Sequence, residues 1–500
     1  MGALLAAHVA LIAANWHVDG DTLTDMRQVA SAGSLREALT HRGKFTLAYV
    51  AESPVTRLAT AVVRTVLPRW NTLDTARMLS LAGAGAVGLL LLRAARAAGA
   101  GPAVMLLACI LPFCWHGFSF LIAECDNNVP ADALRVAVLL ALARMVRRPA
   151  VGTLLPPGGT AAGLLLGAAI AWHLQCALLV PVAAWAAWTA GAGLRPVRRA
   201  LGALAVPACA LAVYAASVAC AVDAGVLERT TPGEFLFGLF QHHAGNTGDF
   251  FFTSGRTLVQ QAALLREGWG TMVLGWPWVR PEGAFAALAT IAALGLAFTA
   301  LGASLRAIRG SPEAAVLVPA LGLQSAHALF FGAHSIERWD MLAVLSGAAC
   351  AWGTGAARAR GDEAGARRQT RRWAAAAVAL LALNAWGWWA FATRSEAVFL
   401  EVLSGVRTEP SVEIDSFGAH RRLSRIAARC AALAGPQDGF LGVIAADARA
   451  SRPRYWLMNN ALSYLAIYRP GLTDRSDSKG FGLSFVSPPG PDSGLEVVAA

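Results

Sequence analysis

The stretch AAGLLLGAAIAWHLQCALLVPVAAWAAWTAGAGLRPVRR, residues 161–199, decides how the whole chain is read. It carries no charged side chain before Arg195, and His173 and Gln175 interrupt it near the middle. A bilayer-spanning helix needs about 20 apolar residues. The stretch therefore holds one long tilted helix or two short ones broken at His173 and Gln175. The arginines elsewhere choose between them. With two helices, every Arg-rich connection falls on one side: Arg93 and Arg96, then Arg144, Arg147 and Arg148, then Arg195, Arg198 and Arg199, then Arg306 and Arg309, and finally 358–372. A single helix would put RPVRR on the wrong face. Positive charge collects in short cytoplasmic loops, so the two-helix reading is the consistent one.

Working outward gives apolar segments at about 1–15, 78–93, 101–123, 129–146, 160–174, 176–193, 200–222, 283–305, 313–335, 339–357 and 373–392. The fold class expected is an all-α polytopic membrane protein of about 11 transmembrane helices. Composition agrees: of 500 residues 56% are hydrophobic and only 15% charged, with mean hydropathy +0.50. Soluble domains carry about 25% charged residues. The net charge of +11 lies in arginines between apolar segments, so it reads as topology, and no nucleic-acid partner is expected. No phosphate-binding glycine loop occurs, which excludes an ATP-driven pump. The first segment lacks a basic leader and is read as an uncleaved helix with His8 as a helix-contact residue.

Three long segments then face outward: 16–77, 223–282 and the tail from 393 to 500. The domain division expected is 1–392 for the membrane domain and 393–500 for a small C-terminal periplasmic α/β domain. In the tail, GFLGVIAADARA reads as strand and turn, and YWLMNNALSYLAIY as helix. In the large first loop, SLREALT and SPVTRLATAVVRTVL have apolar residues at helical spacing with arginine between, as interfacial helices do. The eight cysteines show no metal-ligand spacing; a bridge between Cys125 and Cys430, both outside the apolar segments, is open.

Ionisable groups at a membrane boundary are costly unless hydrated, paired or ligated. They concentrate at four outer places. Asp19 and Asp21 follow the first apolar segment, and Glu124 and Asp126 (AECDNNVP) follow the third. His242, His243, Asp249 and Arg256 lie in FQHHAGNTGDFFFTSGR; His334, Glu337, Arg338 and Asp340 lie in FGAHSIERWD. Each has a plainer reading. Asp19 and Asp21 suit a helix cap, ECDNN a polar turn, and Asp132 with Arg135 a local ion pair three residues apart. The adjacent histidines suit a metal, a phosphate or sugar contact, or a solvated loop. The tryptophan-rich stretches WGTMVLGWPW and WGWWAF suit an interfacial aromatic belt better than sugar-stacking platforms, and ERWD suits snorkelling side chains.

On this layout, with an acidic first loop at Asp19 and Asp21, an acidic pair at Glu124 and Asp126 and a late basic motif at Arg338, the chain resembles the GT-C superfamily of polytopic glycosyltransferases. These include the bacterial aminoarabinose transferase and the protein O-mannosyltransferases. The likeness covers about 1–360, and DARASRPRYWLMNNALSYLAIYRPG is similar to the outer domain following some members. It implies an inverting enzyme of the bacterial inner membrane that moves a sugar from a polyprenyl-phosphate donor to a lipid, glycan or protein hydroxyl. Asp19 or Asp21 would be the catalytic base, and Glu124 or Asp126 the second acidic site. Arg338, with Arg256, His243 and His334, would hold the phosphate. A divalent cation, Mg or Mn, is open, with Asp19 and Asp126 as candidate ligands. The chain differs in having HRGKFTLAYVAESP (41–54) where the family frequently has a His-Pro element. Two rivals remain: a non-catalytic scaffold of the same fold, and a secondary transporter, which would need ionisable groups and broken helices near the midplane.

Overall fold

A computed structural model describes residues 50–148, 156–223, 255–275, 284–331, 333 and 338–403, with short pieces at 9, 26–27, 29–30, 424–425, 427–432, 439–440, 463–469 and 473–474. The first apolar segment, SLREALT, Asp19, Asp21, His242, His243, Asp249, His334 and Glu337 lie outside these residues.

Helix α1 (Glu52–Arg64) falls in the segment read as interfacial, and its amphipathy is inverted. Glu52, Ser53, Thr56 and Thr60 face inward and are buried, while Val55, Leu58 and Val62 are exposed. In water that arrangement would be unfavourable; against lipid it is the favourable one.

Helix α2 (Thr72–Ala97) starts at a capping box, in which Asn71 Oδ1 accepts from Asp74 N (3.0 Å) and Asp74 Oδ2 from Asn71 N (3.2 Å). Helix α3 (Pro102–Cys114) opens on a proline, which has no N–H to leave unpaired. Trp115 is extended, and α4 (His116–Glu124) leaves the break at 67°. The freed Phe113 carbonyl accepts from Ser119 Oγ (3.0 Å) and Asn384 Nδ2 (2.9 Å). Such compensation is what lets a helix break inside a membrane.

Helices α5 (Asn128–Arg147) and α6 (Gly159–Trp172) follow. The deciding stretch does break where its polar pair stands: His173 is extended, Leu174–Leu179 forms a tight 3-10 turn, and α7 (Val180–Ala190) resumes. Helix α8 (Pro196–Asp223) returns against α6. Gly167 allows the approach, since a Cβ there would meet Val213 Cβ at 2.5 Å and the Ala210 carbonyl at 2.6 Å. Next come α9 (Leu258–Leu274), α10 (Ala284–Ile308), α11 (Ala314–Phe330), α12 (Asp340–Ala359) and α13 (Glu363–Leu403).

Helices occupy ten of the eleven expected segments; the first segment lies outside the described residues. Four are individually long and apolar enough to cross a membrane, or five if bent α3 and α4 make one span. The chain is an all-α multi-pass membrane protein.

The segment 223–282 contains α9, which packs on α4 and α13, with Met272, Val273 and Leu274 buried. Trp269 lies 4.7 Å from Trp339 and 5.4 Å from Phe298, so it belongs to the bundle rather than to a belt. Trp389, 66% exposed, does fit a belt. Helix α13 also runs across the expected boundary at 393 to Leu403. At about 1.5 Å per residue its 41 residues extend about 60 Å, well beyond the bilayer. In the tail, β1 (Gly439–Phe440) pairs in parallel with β2 (Thr473–Asp474). A parallel pair needs a crossover, and the helical residues 463–468 lie within that connection.

The ends of the bundle differ in charge. Arg147 pairs with Glu313, Arg360 Nη1 donates to Ala307 O (2.5 Å), and Arg358 approaches both Glu363 (3.9 Å) and the start of α3 at Gly101. The Arg-rich ends of α5, α10 and α12 thus meet the starts of α3, α11 and α13. The opposite end gathers Glu52, Glu124, Asp126, Asp132 and Asp340, all buried. This is the segregation that the arginine pattern requires.

Candidate active site at the acidic end

The turn Glu124–Asn128 forms because Cys125 takes a left-handed conformation (φ 64°) at the end of α4, after which Asp126 starts the next helix. Asp126 Oδ1 accepts from Asn128 N (2.7 Å) and Asn128 Nδ2 (2.9 Å), an Asx turn that fixes the carboxylate. The polar-turn reading is therefore correct for Asp126 without exhausting its chemistry, because a carboxylate accepts several bonds. Neighbouring elements pin the turn. Asn127 Nδ2 donates to Glu52 Oε2 (3.1 Å), Trp172 Nε1 to Asn127 O (3.1 Å), and Ser80 Oγ to Ile122 O (3.2 Å). Arg77 reaches Cys125, whose thiol burial pushes up to about 12. Among the described residues all eight cysteines are free, so Cys125 and Cys430 are not bridged.

Just inside this turn lies a buried ionic network. Arg135 Nη1 donates to Asp132 Oδ1 at 2.7 Å, as its spacing suggests, and the same nitrogen lies 3.8 Å from Asp340 Oδ1. Arg135 Nη2 donates to Gln175 Oε1 (3.1 Å), and Nε faces Cys176 Sγ at 3.4 Å. Gln175 in turn meets His327 Nδ1 at 3.5 Å. All three charged residues are at most 1% exposed. The pair expected to be local is thus the hub joining α5, α12 and the break after α6. The sequence did signal this, since each member is a polar residue at the edge of, or inside, an otherwise apolar run.

Asp126 and Asp340 are both buried, at 6% and 0% exposure. Arg338 sits two residues before Asp340, its guanidinium 5.0 Å above the Phe331 ring, and its carbonyl accepts from Gln324 (3.0 Å). Arg256 leads into α9, whose Gln261 bonds to the Leu329 carbonyl on the strand of chain approaching Arg338. Of the expected site residues, Glu124 and Asp126 are buried in the turn, and Arg338 stands two residues before Asp340 of the network. Arg256 stands on an adjoining helix; Asp19, Asp21, His243 and His334 lie outside the described residues. No group of three or more His, Cys, Asp or Glu side chains among the described residues is placed to hold a metal ion.

Carboxylates, guanidinium groups and histidine at headgroup depth can exchange protons and bind anions. No family model matches the chain, and no curated protein sequence matches it. Among solved structures, the chain is similar to ArnT from Cupriavidus metallidurans bound to undecaprenyl phosphate, at 15% identity over 94% of this chain and 88% of that one, with a TM-score of 0.48.

Proposed function

We propose that the chain is a glycosyltransferase of the bacterial inner membrane, working on the outer, periplasmic face with the tail 393–500 on the same side. It moves a sugar from a polyprenyl-phosphate donor to a hydroxyl of a lipid, glycan or protein. The observation that carries this reading is the burial of Glu124 and Asp126, together with the Asp132–Arg135–Asp340 network, at the end of the bundle opposite the arginine loops. A lipid phosphate sits at that depth, and a leaving phosphate needs positive donors while an acceptor hydroxyl needs a carboxylate. In this reading Asp19 or Asp21 accepts the acceptor's proton, the oxygen attacks the anomeric carbon with inversion, and the polyprenyl phosphate departs with its charge held by Arg338. Glu124 or Asp126 orients the acceptor. Arg256, His243 and His334 stand as further phosphate contacts.

One observation favours a transporter instead: helices break at Trp115 and His173, and ionised groups are buried inside the bundle. The network stands within about the first two turns of α5 and at the first residue of α12, however, rather than at mid-helix. The test is transfer from radiolabelled polyprenyl-phosphate sugars to membrane acceptors. Wild type is compared with Asp19→Asn/Asp21→Asn at matched expression. Transfer abolished in the variant supports the assignment; equal transfer removes those aspartates from the mechanism. No transfer by wild type with any donor would favour the scaffold or, with solute uptake into proteoliposomes, the transporter.

A further inference from the structure

A second polar site lies away from the acidic turn. Helix α1, the start of α2 and the helical residues 463–468 enclose a cavity of about 220 Å³. Its lining includes Arg57, Arg64, Thr60, Asn71 and Ile467, and among the described residues no carboxylate.

Both arginines are anchored. Arg57 Nη1 donates to Val29 O (3.2 Å) and Arg64 Nε to Trp70 O (2.7 Å). A guanidinium has five donors, so each keeps several for a ligand while its position is fixed. The acids flanking this segment in the chain are engaged elsewhere: Glu52 accepts from Asn127 Nδ2 (3.1 Å), and Asp74 is held by Asn71 N (3.2 Å) and Arg77 (3.4 Å). Arg57, Thr60, Ala61 and Arg64 recur at helical spacing on one face of α1, and the exposed Leu58 and Val62 lie round the helix from them. With its apolar face in lipid, α1 turns the arginines away from the hydrocarbon and towards the tail residue Ile467. Two fixed guanidinium groups in one small cavity repel each other until an anion joins them, and their forked geometry fits phosphate oxygens.

We propose that this cavity binds a phosphate group held just above the membrane surface, either free phosphate or the headgroup of an anionic lipid, at a site separate from Glu124 and Asp126. Because Ile467 closes one wall, the bound anion ties the C-terminal tail to the membrane bundle.

The test uses the full-length protein in nanodiscs, with thermal unfolding as readout, since a ligand of the native state raises the midpoint. Inorganic phosphate is titrated into zwitterionic discs, and phosphatidylglycerol discs are compared at constant salt. A midpoint rise with phosphate identifies the free anion as sufficient; a rise confined to phosphatidylglycerol identifies the lipid headgroup. In either case Arg57→Gln/Arg64→Gln is expected to weaken binding at least tenfold. Arg57→Lys/Arg64→Lys is expected to keep part of it, while Arg69→Gln and Glu124→Gln leave it unchanged. No midpoint change in either arm, or equal binding by the double Gln variant, would overturn the proposal. If the double Gln variant fails to fold, a phosphate response weakened in the folded Lys variant supports the site, and an undiminished response there overturns it.

Discussion

Asp132 and Asp340, from helices far apart in the chain, approach the same nitrogen of Arg135, at 2.7 and 3.8 Å, where neither carboxylate has any exposure to solvent. Removing one partner of a buried pair strands the other charge, at about 3–5 kcal/mol. Arg135→Gln is expected to destabilise the folded protein by that amount. In the triple variant with Asp132→Asn and Asp340→Asn much of the loss returns, because no charge is left unpaired. Denaturant unfolding in detergent micelles measures both. Additive losses in the triple variant would mean the three groups do not form one network.

His116 fills a slot made by two glycines. Its Nδ1 lies 3.1 Å from Asn384 Oδ1, and a Cβ at Gly275 or Gly387 would strike the imidazole ring. Gly275 also has φ +72°, which L side chains adopt at a cost of about 1 kcal/mol. Overpacking adds about 1–3 kcal/mol, so Gly275→Ala is expected to lower stability by about 2–4 kcal/mol. Gly295→Ala on α10, where a Cβ would meet nothing within 4 Å, is the control and should be neutral or slightly stabilising. Thermal midpoints that fall equally in both variants would contradict the fit described for His116.

If the proposed transferase reading holds, Glu124→Gln or Asp126→Asn lowers the rate at saturating substrate by about 10²-fold, the size of effect expected when a reacting group is mispositioned. Arg338→Gln, by contrast, raises the KM for the lipid-phosphate donor. Steady-state kinetics at matched expression separates the two outcomes. A rate unaffected by both acidic variants would leave the turn with a structural role only.

Cys125 sits in the turn between α4 and α5, and burial raises its thiol from 9.0 to about 12. The folded state therefore holds this proton more tightly than the unfolded chain. The stability so contributed is complete below pH 9, declines as pH rises above 9, and is gone once pH passes about 12. Because the thiolate is the reactive form, maleimide at neutral pH should spare Cys125 until denaturant is added. Early modification of Cys125 would contradict its burial.

Much of the fold was legible because apolar length and arginine placement are one-dimensional signals. The break at His173 and Gln175 followed from charge alternation at Arg195–Arg199, and the interfacial reading of 53–67 from apolar spacing. Helix α9 was not legible: Arg266 and Glu267 give it the look of a loop, and its burial depends on glycines at 268 and 275 that admit Trp339 and His116. Likewise, Asp132 and Arg135 revealed their own pairing through spacing of three, whereas Asp340 and Gln175 meet Arg135 only through tertiary contact. Acidic residues mark a depth in the membrane; which of them share a partner depends on helix order, which single-residue patterns do not encode.

The network also constrains biogenesis. Asp132 and Arg135 leave the ribosome together, and once helical they neutralise each other, so α5 can partition into the bilayer as an electrically balanced segment. Asp340 emerges about two hundred residues later, at the first residue of α12 and two residues after Arg338. Its partner on α5 is by then already in place. Helix α12 is therefore a late arrival whose final docking completes the network, and truncation of the N-terminal half should leave Asp340 without that partner.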